Sequence, residues 1–124
     1  MPLTSIASAS IVKNNIASLN NGHGFRTFAN SWIVENKAHE NDWDGVRISS
    51  TDCVVEGNNV TDNDIAGLQA TSSGGLILSN RAAGNIENYC IDPNTAYGPI
   101  VDVTNVGDIS GVANADHPYA NFQF

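Results

Sequence analysis

Asparagine returns at a fixed interval along this chain: Asn14, Asn36, Asn58 and Asn80 are each 22 residues apart. Three places before them stand Ile11, Ile33, Val55 and Ile77, and two places after them Ile16, Ala38, Val60 and Ala82. Asn41, Asn63 and Asn85 keep the same interval, as do Gly45 and Gly67, each followed by an aliphatic residue. Gly24 with Phe25 is the equivalent pair one unit earlier, displaced by a single residue, which a one-residue insertion in a turn near His23 accounts for. A chain with one period over most of its length is a supersecondary unit stacked on copies of itself, so most globular folds are excluded at once.

The unit is made of strands. Apolar residues alternate over stretches of four or five, as in Val46 and Ile48 or Leu68 and Ala70, and Asn, Gly, Ser and Asp bound each stretch. Asn and Gly tolerate the left-handed backbone that a sharp bend between strands requires. A helical hairpin repeat needs units of about 33 residues or more, and a leucine-rich repeat needs its own Leu spacing. The expected architecture is therefore all-β: a right-handed, single-stranded parallel β-helix, a solenoid with about 22 residues per coil. Its first strands are expected at Phe25–Phe28, Val46–Ser49 and Leu68–Thr71, its second at Trp32–Val34, Val54–Val55 and Leu76–Leu78, and its short third around Ala38, Val60 and Ala82. Coils then stack at about 4.8 Å, which places Asn14, Asn36, Asn58 and Asn80 in a structural ladder or, alternatively, in a row of solvent-facing turns.

One domain spans residues 1–124, with coils over 9–105 and a nonperiodic C-terminal capping tail over 106–124. Beyond residue 86 the period fails and Pro93 and Pro99 interrupt the strand-like text, so the tail is expected to fold back along the coil or to cover its last rung. Met1 to Ser10 has no comparable capping character. The front end is expected either to be the start of the C-terminal part of a longer chain or to be covered by self-association as a homo-oligomer. Cys53 and Cys90 fall on different sides of the coil in this register, as two buried thiols or as one bridge.

A net charge of −8, without any basic cluster, gives a long-range field of the wrong sign for nucleic acid or an anionic membrane. No apolar stretch is long enough for a membrane-spanning helix, and the first dozen residues lack the pattern of a signal peptide.

The glycine-led strand with alternating aliphatics, the turn that follows Ile33, Val55 and Ile77, and the Asn-to-Asn segment resemble the pectate-lyase-like superfamily of right-handed parallel β-helices over residues 9–105. That resemblance implies an extracellular or cell-surface setting and a polysaccharide lying along the first-strand face. On that face Arg26, Arg47 and Gln69 form one outward column, with Trp43 and His39 in the adjoining loops, and these five are the candidate substrate-binding residues. Asp42 and Asp64, at the 22-residue interval, and Asp44 beside them are the candidate metal ligands, since stacked carboxylates repel unless a cation such as calcium intervenes. In a lyase, Arg47 or Arg26 would be the catalytic candidate. The similar hydrolases carry aspartates on adjacent first strands, where this chain has Arg, Gln, Ser and Thr. His23, His39 and His117 are scattered and lack zinc spacing. The functional expectation is a noncatalytic β-helical surface or assembly module that binds glycan; the alternative is a calcium-assisted lyase or other carbohydrate-active enzyme acting on acidic polysaccharides.

Overall fold

Three short strands per coil build the molecule, and each strand pairs in parallel with its counterpart in the coils beside it. The computed structural model describes residues 8–124. The first coil supplies β1 (Ile11–Lys13) and β2 (Ile16–Ser18); the second β3 (Phe25–Thr27), β4 (Trp32–Val34) and β5 (Lys37–His39); the third β6 (Val46–Ile48), β7 (Val54–Glu56) and β8 (Asn59–Thr61). The fourth supplies β9 (Ala66–Ala70), β10 (Leu76–Leu78) and β11 (Arg81–Ala83), and β12 (Glu87–Ile91), β13 (Ala96–Tyr97), β14 (Ile100–Asp102) and β15 (Asn121–Gln123) complete the chain. The stack has three faces: β3-β6-β9-β12, β1-β4-β7-β10-β13 and β2-β5-β8-β11-β15-β14.

Alternation sends one residue inward from each strand on two of the faces and two on the β3-β6-β9 face, where Ile48 and Ala70 join Val46 and Leu68, and those residues form the core. Val12, Ile33, Val55 and Ile77 line one wall, Ala17, Ala38, Val60 and Ala82 the second, and Phe25, Val46, Leu68 and the half-buried Tyr89 the third.

Two asparagine ladders run along the corners. In one, the backbone N–H of Asn36 donates to Asn58 Oδ1 at 2.9 Å, that of Asn58 to Asn80 Oδ1 at 2.9 Å, and that of Asn80 to Asn121 Oδ1 at 3.0 Å. Asn20, Asn41, Asn63 and Asn85 repeat this arrangement at the next corner. The interior amides Asn36, Asn41, Asn58, Asn63 and Asn80 use both their oxygen and their nitrogen, which is how polar side chains are tolerated inside the stack. Left-handed residues precede the ladder positions: Asn14, Glu35, Gly57 and Ser79 before the first ladder, and Leu19, Glu40, Asp62 and Gly84 before the second. The glycines at Gly24, Gly45 and Gly67 make room for the second ladder; a Cβ at Gly45 would stand 2.7 Å from the Asn63 amide nitrogen and 2.7 Å from the Gly67 carbonyl oxygen.

The first coil departs from the 22-residue register. Asn15, not Asn14, occupies the ladder, donating its N–H to Asn36 Oδ1 at 2.9 Å. Asn14 has φ 59° and is the left-handed residue before it. Val12 and Ala17 accordingly face inward, while Ile11 and Ile16 face solvent. The extra residue that creates the slip lies between Ile48 and Val54 rather than near His23, because Thr27 pairs with Ile48 at an interval of 21 but Trp32 with Val54 at 22.

Cys53 and Cys90 are free, and Cys90 is only partly buried, at the outward end of the Arg26 column. The tail folds back onto the stack, its residues 103–119 unburied on the surface. Its final strand, β15, enters the sheet between β11 and β14. The expectation for the front end falls mostly on residues 1–7, outside the described residues.

Candidate functional site

Register alone brings Arg26, Arg47 and Gln69 together, because β3, β6 and β9 pair residue for residue and present these side chains outward. The turns that lead into these strands stack in the same way. Trp43 N–H donates to Gly22 O at 3.2 Å and Ile65 N–H to Trp43 O at 3.3 Å, which sets Ile65 beside Trp43 one coil on and Asp44 beside His23. His23, Arg26, Trp43, Asp44, Arg47, Ile65 and Gln69 line an open depression of about 320 Å³.

Asp44 organises it from below. Its carboxylate is fully buried; Oδ1 accepts the Ala66 N–H at 3.0 Å and Oδ2 accepts from the Arg47 guanidinium at 3.3 Å. His23 Nδ1 lies 3.3 Å from both the Asp44 N–H and Asp44 Oδ2, so Asp44 fixes the orientation of the imidazole. Burial pulls the His23 pKa below its ordinary value, against the nearby Asp44 carboxylate and with help from Arg47 and Arg26. His23 in turn props the Trp43 ring edge-on, with centroids 5.1 Å apart and planes at 72°. Arg47 also donates to Gln69 Oε1 at 3.1 Å. Arg26 lies over the Phe28 ring, 5.4 Å from its centroid, with Nε donating to Ser49 Oγ at 3.4 Å, and among the described residues it has no carboxylate partner. The result is a fixed aromatic wall beside two guanidiniums, one of them neutralised.

Of the residues singled out from sequence, Trp43, Arg26, Arg47, Gln69 and Asp44 converge here. His39 does not: it lies on β5, on another face, against Glu40 at 3.1 Å. Asp42 and Asp64 are exposed on successive coils, while Asp44 is buried, and among the described residues no three His, Cys, Asp or Glu side chains come together. These three aspartates therefore do not fit a calcium site, because the one with the best burial already spends both oxygens on protein donors. His23 and Ile65 were missed. An interval of 21 rather than 22 over this coil, the spacing of Gly24 to Gly45 and of Asn20 to Asn41, would have set His23 on Asp44.

Among the described residues no helix is long and apolar enough to cross a membrane. No curated protein and no solved structure matches the chain. The family described as right handed beta helix region matches residues 3–83, and with its parallel coils, inward aliphatic columns and stacked corners this chain belongs to that family.

Proposed function

We propose that this β-helical module binds an acidic glycan in the depression on the first-strand face and does not transform it. The observation that carries the reading is the half-exposed Trp43 ring, 49% accessible, held rigid beside Arg26 and Arg47. A sugar ring stacks on an indole face, and guanidiniums bind carboxylates in a planar fork, so a uronate residue matches both walls at once. Its hydroxyls meet the Gln69 amide and the His23 ring.

Catalysis finds poor support in the same geometry. Hydrolysis needs two carboxyl groups flanking the scissile bond, and the depression has one, buried beneath its floor. Arg47 is already engaged as an ion pair with Asp44 Oδ2 at 3.3 Å. His23 Nδ1 is engaged by Asp44, at 3.3 Å from both its N–H and its Oδ2.

Titration of the Trp32→Phe chain, in which Trp43 is the remaining tryptophan, with oligogalacturonate tests the proposal by fluorescence. Binding is expected to shift the Trp43 emission, to weaken at least about tenfold in Arg26→Gln, and to weaken with added salt. Equal binding of a neutral oligosaccharide would remove the acidic specificity. Accumulation of unsaturated uronate products, read by ultraviolet absorbance, would replace the noncatalytic reading with the lyase.

A further inference from the structure

The last strand enters the stack out of turn. A solenoid that simply kept winding would lay β14 directly on β11, yet β15 separates them and pairs in parallel with both. The slot it fills is selective. Asn121 Oδ1 accepts from the Asn80 N–H at 3.0 Å and from its amide at 3.1 Å, while Asn121 Nδ2 donates to the carbonyl oxygens of Ile77 at 3.1 Å and Gly98 at 3.0 Å. Ile100 pairs with Asn121, so a β14 that closed onto β11 would bring an isoleucine to Asn80 and leave those donors unanswered. Gly98 is the threshold of the slot, since a methyl group there would overlap the Tyr119 carbonyl oxygen.

The connection to this strand, residues 103–120, behaves differently from the coils. None of residues 103–119 is buried. Hydrogen bonds made by residues 104–117 reach no further than Asp102 on one side and Ala120 on the other. Side chains added at Gly107 or Gly111 would meet nothing. The chain thus ends in a keyed strand on a tether whose middle, residues 104–117, makes only local bonds, while Ser79 holds its far end through Pro118 O at 3.2 Å and Tyr119 O at 3.3 Å; straight, that tether extends to about 60 Å.

We propose that the slot between β11 and β14 is a strand-exchange site whose second occupant is the C-terminal strand of another copy of this chain. Asn121 of the second copy then completes the ladder above Asn80 of the first, and the reverse. The exchange is isologous and replaces each contact by an identical one, so tether length and protein concentration set the balance between the closed and exchanged forms. The exchange involves a different face from the glycan depression and does not depend on it.

Shortening the tether tests the proposal in the otherwise complete chain. Deleting residues 105–116 leaves about six residues between β14 and β15, fewer than the dozen or so that a parallel crossover requires. The strand then cannot return to its own slot, and light scattering is expected to read twice the monomer mass. Asn121→Leu in the same background is expected to restore the monomer mass. A monomer whose Phe122 amide stays protected from hydrogen exchange overturns the idea, as does a dimer indifferent to Asn121→Leu. Should the deletion prevent folding, the intact chain decides: light and isotope-labelled chains are refolded together at high concentration and examined by native mass spectrometry. Mixed dimers that vanish with Asn121→Leu support exchange, and absence of mixed dimers refutes it.

Discussion

Asn58 shows why one residue type governs this stack. Its Oδ1 receives the N–H and the amide of Asn36, at 2.9 and 3.2 Å, while its Nδ2 reaches Ile33 O at 2.8 Å and Asn80 Oδ1 at 3.0 Å. No apolar side chain can do this, and a carboxylate would supply the acceptor without the donors. Asn58→Leu strands two donors on Asn36 and the Ile33 carbonyl in a dry interior, and is expected to cost on the order of 3–5 kcal/mol in urea unfolding. Asn15→Leu, at the solvent-exposed end of the same ladder, is expected to stay within about 1 kcal/mol. Equal costs at the two positions would show that the ladder carries no particular weight. The same logic explains what the sequence could reveal. Asn36, Asn58 and Asn80 were legible because the coils they link keep one interval, whereas the adjacent Asn14 and Asn15, like Ile11 and Val12, offer two registers of equal chemical plausibility. Asn121 was invisible because it stands 41 residues beyond Asn80, an interval that holds the nonperiodic connection 103–120 and is no match for the 22-residue period.

At the level of the element, the corners are the strained parts. Leu19, Glu40, Asp62 and Gly84 occupy one left-handed column, and Asn14, Glu35, Gly57 and Ser79 the other, so most of these bends are made by residues that pay a steric cost for them. Leu19 stands out: its φ is 57° and its side chain is 73% exposed, so little packing compensates. Leu19→Gly is expected to raise stability by about 0.5–1 kcal/mol, the relief of the left-handed strain less the added freedom of the unfolded chain. Gly57→Leu, with φ of 69°, is the reverse experiment and is expected to lower stability by about 1–2 kcal/mol. Paired thermal melts check both, and a destabilised Leu19→Gly would mean that the side chain does more than its exposure suggests. The strands between the corners were legible from alternation. The turn residue that shifts the first coil was not, because Ser49 to Cys53 is a polar stretch in which one residue more or fewer leaves no mark on the pattern.

Across the whole molecule, each coil touches only its neighbours, so a defect at one end should be felt locally. Tyr89 gives a clean test. Its ring closes the core above Leu68, and its hydroxyl lies 2.7 Å from Phe122 O and 3.0 Å from Asn80 O, tying β15 to the fourth coil. Burial raises the Tyr89 pKa, which keeps the hydroxyl protonated and able to donate. Tyr89→Phe keeps the ring and removes only that donor, for about 1 kcal/mol, because Asn80 O retains the Phe122 N–H at 2.8 Å. Hydrogen exchange at Phe122, Gln123 and Val103 is then expected to quicken about fivefold, while the amides of Trp32 and Val54 keep their wild-type rates. If the far coils lose protection to the same degree, the stack unfolds as a single unit and the tail strand is integral to it. If they do not, the tail is a separately opening piece, which is the physical property that exchange between copies demands.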